Sequence, residues 1–271
     1  MSDKPLTPPS PSDEEVRRLS RRLTRRSFLA GGAGALAALA GWGWLRNSAA
    51  DDGAPWPLRR VLRFNEQVGR ALFSEVRLAP TFPESRAVSA EDMRVNGGIG
   101  LRSPLAPATW GLVVEGDLGP ALRFTLDDVR ALPRTVMTTE LKCIEGWSEV
   151  VTWGGAAFRD FLVRYRLGTR SGAAPDLEGR RDDLYRYVSL ETPDGGYYVG
   201  LDMESALHPQ TLLCYEIGGR PLTAAHGAPL RLTVPVKYGI KSIKRIGRVR
   251  FSDERPRDYW ARRGYDWYAG H

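Results

Sequence analysis

Cys143 and Glu145 carry the clearest potential for chemistry in this sequence. They lie in the segment Lys-Cys-Ile-Glu-Gly-Trp-Ser, residues 142–148. A thiol beside Lys142 has a cation that favours its thiolate, the form that ligates a metal. If the segment is extended, Cys143 and Glu145 project to the same side, so a soft metal ligand and a proton-handling carboxylate share one site. The alternative that Cys143 is an ordinary buried thiol stays open, because no His or Cys lies near enough to complete a zinc or haem motif.

The second cysteine, Cys214, lies in the apolar run Thr-Leu-Leu-Cys-Tyr-Glu-Ile. A disulfide between the two cysteines is the first possibility in an exported chain. An apolar strand instead buries Cys214 as a small hydrophobic side chain. We favour this second interpretation, which leaves Cys143 available for chemistry.

A sheet-rich domain with few helices must position these residues. Segments 110–116 and 230–236 alternate or run apolar as strands do, and 243–251 predicts a strand with one charged face. Thr125 is a predicted N-cap before an acidic first turn, and the apolar spacing of 157–163 predicts a second helix. Gly and Pro recur between these segments. The pattern indicates an α+β fold dominated by sheet.

The N-terminal region predicts export. Arg25 and Arg26 are followed by Ser-Phe-Leu and by a Gly/Ala-rich apolar stretch that runs to Leu45. This order is typical of a signal for the twin-arginine translocon. That route carries folded proteins, so the signal is indirect support for a prosthetic group acquired before export. We therefore expect a periplasmic protein.

The fate of this signal region, residues 1–50, has two alternatives. Small residues at 48–50 suit cleavage, whereas Trp42 and Trp44 suit a retained membrane anchor. The remaining segment, 51–271, is long enough for one large domain with a substantial core. The formal net charge of +7 is inflated by the basic signal region, and the other cations are interspersed with carboxylates. We therefore expect no nucleic-acid partner.

Separated motifs follow one another from about Asn65 to the C terminus. They are 142–148, Trp-Gly-Gly at 153–155, Ala-His-Gly-Ala-Pro-Leu-Arg-Leu at 225–232 and Lys-Tyr-Gly-Ile-Lys-Ser-Ile-Lys at 237–244. In this order they resemble the sulfite-oxidase-like molybdopterin-dependent oxidoreductases. The resemblance implies an enzyme with the mixed, sheet-rich sulfite-oxidase-type molybdopterin-binding fold. The chain stops where animal and plant sulfite oxidases continue, so we expect no C-terminal dimerisation domain.

The resemblance also implies a mononuclear molybdenum held by molybdopterin, a pyranopterin dithiolene, with Cys143 as the protein's thiolate ligand. A soft set of sulfur ligands suits a metal that cycles by two electrons while an oxygen atom is transferred. The match to family motifs implies pterin contacts from Asn65, Val68, Gly69, Thr192, His226, Arg231, Ser242, Ile243 and Lys244. Arg231 and Lys244 suit the phosphate, and backbone amides near Gly69 and Ser242 are expected to complete its cradle. Without the resemblance, Lys244 is a charge on a solvated strand face.

Charge next to the cysteine guides the choice of substrate within the family. Sulfite-oxidising members are expected to have an arginine soon after the cysteine, and this chain has Glu145 instead. A carboxylate near the metal repels sulfite by on the order of a few kcal/mol. The Cys-x-Glu-x-Trp-Ser pattern is similar to the periplasmic branch that reduces protein methionine sulfoxide. We therefore expect reduction of neutral S-oxides, with Glu145 or a nearby water delivering protons.

Three features differ from that branch. Val68-Gly69 stands where an aromatic-acidic pair is expected, and His226 replaces an asparagine. The aromatic tail, 259–268, also differs, and we interpret it as packing that closes the domain, with a position at the active-site mouth as the alternative. These differences bear on the substrate and leave the expected cofactor unchanged.

Electrons are expected from a separate haem protein, because the sequence has no Cys-x-x-Cys-His haem motif and no cytochrome b5 module. A monomer is the simplest arrangement. Three alternatives stay open. The first is sulfite oxidation with an external cytochrome acceptor, the second is a cofactor-loaded protein without turnover, and the third is an exported β-rich binding module in which Cys143 is only core.

Overall fold

The computed structural model describes residues 12–74, 77–102, 109–116 and 120–271, without the side chains of residues 19 and 20. The chain forms two compact units. The first comprises Met1–Asp51 and Pro55–Pro57, and the second comprises Asp52–Ala54 and Leu58–His271. Residues 1–11 of the predicted signal region lie outside the described residues, and the boundary at residue 50 stays a prediction.

One long helix dominates the first unit. This helix, α1 (Asp13–Asn47), begins with a capping box in which Ser12 Oγ accepts from the Glu15 amide and the Glu15 carboxylate accepts from the Ser12 amide. Arg25 and Arg26 lie within it and are exposed. Among the described residues, α1 is the one helix long and apolar enough to cross a membrane, and a signal sequence meets the same criteria.

Four further α-helices follow in the described residues: α2 (Trp56–Leu72), α3 (Leu126–Arg130), α4 (Phe158–Tyr165) and α5 (Met203–Leu207). Of these, α3, α4 and α5 are short. The strands are β1 (Ala50–Asp51), β2 (Ala54–Pro55), β3 (Leu112–Glu115), β4 (Leu122–Phe124), β5 (Arg134–Lys142), β6 (Ser148–Ala157), β7 (Tyr187–Glu191), β8 (Tyr198–Asp202), β9 (Leu212–Ile217), β10 (Arg220–Pro221), β11 (Arg231–Thr233) and β12 (Arg248–Ser252).

Two five-stranded sheets build the second unit. One has the order β10-β9-β6-β5, with β11 also paired to β9, and the other has the order β4-β3-β12-β7-β8. All pairs are antiparallel except β12 with β3. A hydrophobic core with residues from both sheets, among them Leu112, Leu190, Leu213 and Val249, holds the unit together. The predicted sheet-rich α+β fold is confirmed.

Individual predictions of secondary structure differ in accuracy. Segment 110–116 contains β3, and Thr125 caps α3 through its hydroxyl, which accepts from the Asp128 amide. Segment 230–236 is a strand only over β11, Arg231–Thr233. The predicted strand 243–251 was wrong in its first half, which is irregular backbone, since Arg245 adopts the left-handed φ of 49°.

Candidate functional site

A tight hairpin connection presents Cys143. Strands β5 and β6 pair in register from Arg134 opposite Ala156 to Lys142 opposite Ser148, and the five residues between them form the turn. The Cys143 amide donates to the Trp147 carbonyl at 2.9 Å, and the Gly146 amide donates to the Cys143 carbonyl at 3.2 Å. Gly146 has a φ of 89°, a conformation that glycine adopts without steric cost.

This turn corrects the expectation of an extended segment. The Glu145 amide nevertheless lies 3.5 Å from Cys143 Sγ, and Asn96 Nδ2 lies within reach of both that sulfur and the Glu145 carboxylate, so the turn, rather than strand alternation, brings the thiol and the carboxylate together. Their proximity was predicted correctly for the wrong geometric reason. Glu145 is exposed and Cys143 is half-buried, so both can meet a ligand from solvent.

The expected influence of Lys142 on the thiol was wrong. Lys142 ends β5, and its Nζ lies 3.8 Å from Glu140 Oε2 and 3.5 Å from His271 Nδ1. Burial raises the pKa of the Cys143 thiol, the Glu145 charge raises it further, and the cation that opposes them is Arg94. The protein alone therefore favours the thiol, and thiolate formation at this position requires a cation or a metal.

Glu145 is held by two donors. Its Oε2 accepts from Trp147 Nε1 at 3.0 Å and from Asn96 Nδ2 at 3.4 Å. Asn96 Nδ2 also lies 3.7 Å from Cys143 Sγ, within reach of a weak hydrogen bond to sulfur. Arg94 stacks over the Trp147 ring with its Cζ 4.7 Å from the centroid. The site therefore includes a segment that the sequence analysis missed.

Backbone pairing along the β5–β6 hairpin brings that segment to the site. The Phe82 amide donates to Thr138, the Val88 amide donates to Val150, and the Arg94 amide donates to the Glu149 carboxylate. A chain that follows the hairpin toward its turn ends beside Cys143. The run Asn96-Gly97-Gly98 is the sequence signal for this loop, because Asn and Gly together are typical of irregular backbone.

One cavity of about 160 Å³ collects most of these side chains. Its polar and aromatic lining residues are Arg94, Asn96, Cys143, Glu145, Trp147, Tyr197, Arg231, Ser242, Lys244, Trp260 and Tyr265. Of the predicted site residues, the structure thus brings together Cys143, Glu145, Arg231, Ser242 and Lys244. The aromatic tail has both of the roles considered for it, since Trp260 and Tyr265 border the cavity while Trp267 and Tyr268 are buried packing residues.

Arg231 is a buried cation with incomplete hydrogen bonding. Its two terminal nitrogens donate to the carbonyls of His226 at 3.2 Å and Ser242 at 3.3 Å, whereas Nε is buried and has no partner. Burial lowers its pKa to about 10. His226 Nδ1 is a second buried polar atom without a partner. Unsatisfied buried groups are costly, so this region suits a polar, anionic ligand.

Lys244 joins the loops around the cavity. Its ammonium donates to the carbonyls of Asn96 at 2.8 Å, Gly97 at 3.1 Å and Ala225 at 2.9 Å. Burial, and then the neighbouring Arg231 charge, lowers its pKa to about 8. Lys244 is therefore not a charge on a solvated strand face, and a second cation lines the cavity near Arg231.

The Ser242 amide already donates to the Gly239 carbonyl at 3.0 Å, so that amide is engaged within its own turn, and the cradle expected from amides near it stays a prediction. The Ser242 hydroxyl is also engaged, since it accepts from the Val234 amide at 3.2 Å. The Ile243 side chain is fully buried in the core and does not face the cavity. Within this segment, Ser242 and Lys244 line the wall of the cavity and Ile243 packs in the core.

Four predicted contact residues lie elsewhere. Asn65 and Val68 are exposed on α2, and Gly69 lines a different cavity, against Tyr268. Thr192 organises its own turn, where its hydroxyl donates to Asp194 at 2.7 Å and accepts from the Tyr197 amide at 3.1 Å. The structure does not bring these four residues to the cavity that contains Cys143, and their contacts with a cofactor stay predictions.

Both cysteines are free thiols. Cys214 is fully buried and its Sγ lies 3.3 Å from Thr233 Oγ1, as the hydrophobic interpretation predicts. Among the described residues, no group of three His, Cys, Asp or Glu side chains comes together to hold a metal. Cys143 is the cysteine that lines the cavity, so its thiol is the one available there as a soft donor.

Comparison with known proteins identifies the family of this chain. Residues 100–260 match the family described as the oxidoreductase molybdopterin binding domain. The chain belongs to this family. It is a molybdopterin-dependent oxidoreductase, so the predicted enzyme class and cofactor are confirmed. The family assignment also confirms the resemblance to sulfite-oxidase-like enzymes that the separated motifs indicate.

The curated relatives are named as subunits of protein-methionine-sulfoxide reductases. A protein of Azospira oryzae assigned as protein-methionine-sulfoxide reductase subunit YedZ1 is 33% identical over 220 residues, which cover 81% of this chain and 78% of the relative. Protein-methionine-sulfoxide reductase catalytic subunit MsrP of Ralstonia nicotianae is 31% identical over 240 residues, 87% of this chain and 71% of that protein. MsrP of Xanthomonas campestris is 34% identical over 155 residues, covering 56% of this chain and 47% of that protein.

Among solved structures, the sulfane dehydrogenase SoxCD from Paracoccus pantotrophus aligns with a TM-score of 0.46 and 20% identity, over 56% of this chain and 40% of that chain.

The residues around the cavity fit the cofactor of the family. When bound, molybdenum with its pterin dithiolene supplies two-electron oxygen-atom transfer. The free, half-buried Cys143 thiol offers the soft donor that such a metal needs. Arg231 and Lys244 offer positive charge for a phosphate, and the unpartnered Arg231 Nε and His226 Nδ1 are buried atoms that a polar group can satisfy.

Proposed function

We propose that this chain reduces neutral S-oxides, with methionine sulfoxide as the preferred substrate. A sulfoxide, two electrons and two protons yield a thioether and water. A separate haem protein supplies the electrons, as predicted from the sequence. The relatives named as protein-methionine-sulfoxide reductases support the substrate, and the position of Glu145 beside Cys143 is the structural observation that carries the proposal.

Glu145 acts as the proton relay in this proposal. Trp147 and Asn96 both donate to one of its carboxylate oxygens, which fixes the side chain beside Cys143. The residue is also exposed, so it exchanges protons with solvent between turnovers. Reduction of a sulfoxide consumes two protons at the departing oxygen, and a carboxylate in this place delivers them.

The wall of the cavity supports an uncharged substrate with an apolar body. Ile99, Ile144 and Trp147 line it, together with Trp260 and Tyr265 from the tail. Thioether sulfur and its methyl group pack favourably on aromatic rings. Glu145 adds a negative charge that disfavours an anion. These features select a neutral sulfoxide side chain over a small dianion.

Sulfite oxidation is the second candidate, and Arg94 favours it. The Arg94 guanidinium lines the same cavity and its charge acts on the Cys143 thiol. It therefore supplies the kind of cation that the sequence lacks directly after the cysteine. The Arg94 guanidinium stacks on the Trp147 ring, and Nε1 of the same ring donates to the Glu145 carboxylate. The Arg94 and Glu145 charges therefore offset each other at the cavity.

Steady-state rates separate the two candidates. Purified holoprotein with a reduced viologen donor should reduce methionine sulfoxide faster than it oxidises sulfite with a cytochrome acceptor. Glu145→Gln should slow sulfoxide reduction and narrow the difference between the rates of sulfoxide reduction and sulfite oxidation. The substitution removes the charge and the proton relay while it keeps the size of the side chain. Glu140→Gln on the same hairpin is the control. Efficient sulfite oxidation that Glu145→Gln leaves unchanged would reject the proposal, and absence of either turnover would indicate a protein that only carries the cofactor.

Cys143 is proposed as the thiolate ligand of the metal. Cys143→Ser should abolish activity and change the electron paramagnetic resonance signal of molybdenum. Cys214→Ser should leave both nearly intact, because Cys214 is buried away from the cavity. A disulfide between the two cysteines in active protein contradicts this assignment.

We further propose export to the periplasm by the twin-arginine route, with residues 1–50 as signal region and 51–271 as a monomeric catalytic domain. Paired Arg25→Lys and Arg26→Lys substitutions should retain folded, molybdenum-containing protein in the cytoplasm. Normal amounts of the doubly substituted protein outside the cytoplasm would contradict the route, and light scattering of the purified enzyme tests the monomer.

A further inference from the structure

The side-chain amide of Asn96 lies between the thiol and the carboxylate of the candidate site. Its Nδ2 is 3.7 Å from Cys143 Sγ and 3.4 Å from Glu145 Oε2. An amide nitrogen carries two hydrogens, so Asn96 can donate one to the sulfur and the other to the carboxylate. Among the described residues, Asn96 is the one side-chain donor within reach of this sulfur, and the other donor is the Glu145 backbone amide at 3.5 Å.

The backbone on both sides of Asn96 fixes the position of this amide. The Lys244 ammonium donates to the Asn96 and Gly97 carbonyls of the loop. Its third hydrogen goes to the Ala225 carbonyl of a second loop, so all three donors of the ammonium are used. Two residues before Asn96, the Arg94 amide donates to a carboxylate of β6. The loop is therefore anchored before and after Asn96, which holds the side chain beside the sulfur.

The surroundings of the Cys143 sulfur give weight to a direct hydrogen bond. Half-burial limits donation from water, and the Glu145 carboxylate adds a negative charge nearby. The nearby cation, Arg94, is stacked on the Trp147 ring. A hydrogen bond to a metal-bound sulfur withdraws negative charge from that sulfur and so favours the more reduced form of the metal. The Asn96 donor therefore bears on the reduction potential of a metal at this site.

We propose that Asn96 is a positioning residue for the metal site, which donates a hydrogen bond to the Cys143 thiolate and raises the reduction potential of the bound molybdenum. The second hydrogen of the same nitrogen holds the Glu145 carboxylate beside that sulfur. One side chain thus couples the metal ligand to the carboxylate. This inference rests on the proposed role of Cys143 as the metal ligand, and it is independent of which substrate is reduced.

Matched substitutions separate a hydrogen bond to the sulfur from an effect on Glu145. Asn96→Leu removes both hydrogens and keeps the size of the side chain without adding charge. Trp147→Phe removes the other donor to Glu145, the indole Nε1 at 3.0 Å, and keeps a ring beside Arg94. Both proteins lose one donor to the carboxylate, so a difference between them reports on the sulfur. Asn96→Asp, the closest in shape, replaces the donor with a charged acceptor and serves if leucine disturbs the loop.

Redox titration of the cofactor-loaded proteins, followed by the electron paramagnetic resonance signal of Mo(V), measures the effect. Asn96→Leu should shift the Mo(V)/Mo(IV) equilibrium about tenfold toward Mo(V), which is about 59 mV for one electron. Asn96→Asp should shift it further in the same direction, because it adds a negative charge. In both proteins the absorption band for charge transfer from thiolate to metal should move to longer wavelength. Trp147→Phe should leave the potential and the band unchanged.

Two results overturn the inference alone, while the charge-transfer band is present in the wild type and lost in Cys143→Ser. One is an unchanged potential in both Asn96→Leu and Asn96→Asp. The other is an equal shift in Asn96→Leu and Trp147→Phe, since Asn96 then acts only through Glu145. A band that survives Cys143→Ser overturns the proposed metal ligand and this inference with it, so the two failures are distinguishable.

Discussion

Replacing Arg231 by methionine separates the free-energy cost of burying the cation from the free energy that the cation contributes to ligand binding. The guanidinium is fully buried and stacks on Trp153 with its Cζ 4.8 Å from the ring centroid. Within the described parts of the chain, no carboxylate pairs with it. The cation therefore lacks a partner until an anion binds, and methionine keeps the unbranched apolar stem while it removes the charge.

Opposing contributions nearly cancel in the protein without cofactor. Burial lowers the Arg231 pKa from 12.5 to about 10, which corresponds to about 3 kcal/mol that the substitution recovers. Losing the donors to the His226 and Ser242 carbonyls costs about 1–3 kcal/mol for each acceptor left unsatisfied. We expect the free energy of unfolding of the apoprotein to change by about 3 kcal/mol or less.

The cofactor-loaded protein behaves differently. A unit negative charge about 4 Å from a guanidinium is stabilised by about 4 kcal/mol at an effective dielectric constant of 20. Arg231→Met should therefore weaken cofactor binding about a thousandfold. Molybdenum per chain after dialysis and urea unfolding of the apo and loaded forms measure both effects, and Arg134→Met, which breaks an exposed pair with Glu216, is the control. Full molybdenum content with unchanged stabilisation by the cofactor would refute the reasoning.

Three further substitutions probe the framework of the apoprotein. Lys241→Met, which leaves Asp258 buried without its partner at 2.6 Å, should lower the free energy of unfolding by about 3–5 kcal/mol in urea titrations, and adding Asp258→Leu should restore part of it. Burial lowers the Lys237 pKa to about 7, although the nearby Asp202 carboxylate opposes the shift. Because the unfolded chain then binds more protons between pH 7 and 10.5, stability should rise with pH in that window, and Lys237→Met should remove the rise and increase stability at pH 7. Gly155→Ala should destabilise by about 1–3 kcal/mol, because a Cβ there collides with the Leu213 carbonyl oxygen of β9, whereas Gly116→Ala, with only an ordinary contact to Phe251, should change little in the same titration.

Local sequence patterns predicted the elements that depend on local interactions. The Thr125 cap needs only the Asp128 amide and carboxylate three residues away, and the burial of Cys214 follows from the apolar run around it. The segment at Cys143 also has a local signal that the sequence analysis did not use. Gly146, between Glu145 and Trp147, permits the turn, and a turn brings residues 143 and 145 together as a strand would.

Orientation of charged side chains was not predictable in the same way. Lys142 is adjacent to Cys143 in sequence, but the last residue of β5 directs its side chain toward Glu140 and His271. The cation that acts on the thiol is Arg94, which is distant in sequence. Electrostatic effects depend on distance in space, so sequence adjacency identified the wrong cation.

The two asparagines show the same limit for the cofactor site. Asn65 fits a motif read in order along the chain, yet it lies exposed on α2, where buried Arg59 and Glu66 fix the direction of the helix. Asn96 has no distinctive local pattern beyond the two glycines that follow it. It reaches Cys143 because the chain before it pairs along the β5–β6 hairpin, at residues separated by more than fifty positions in sequence, and only the folded topology determines that pairing. The hairpin that presents the thiol therefore also selects which asparagine lies beside it.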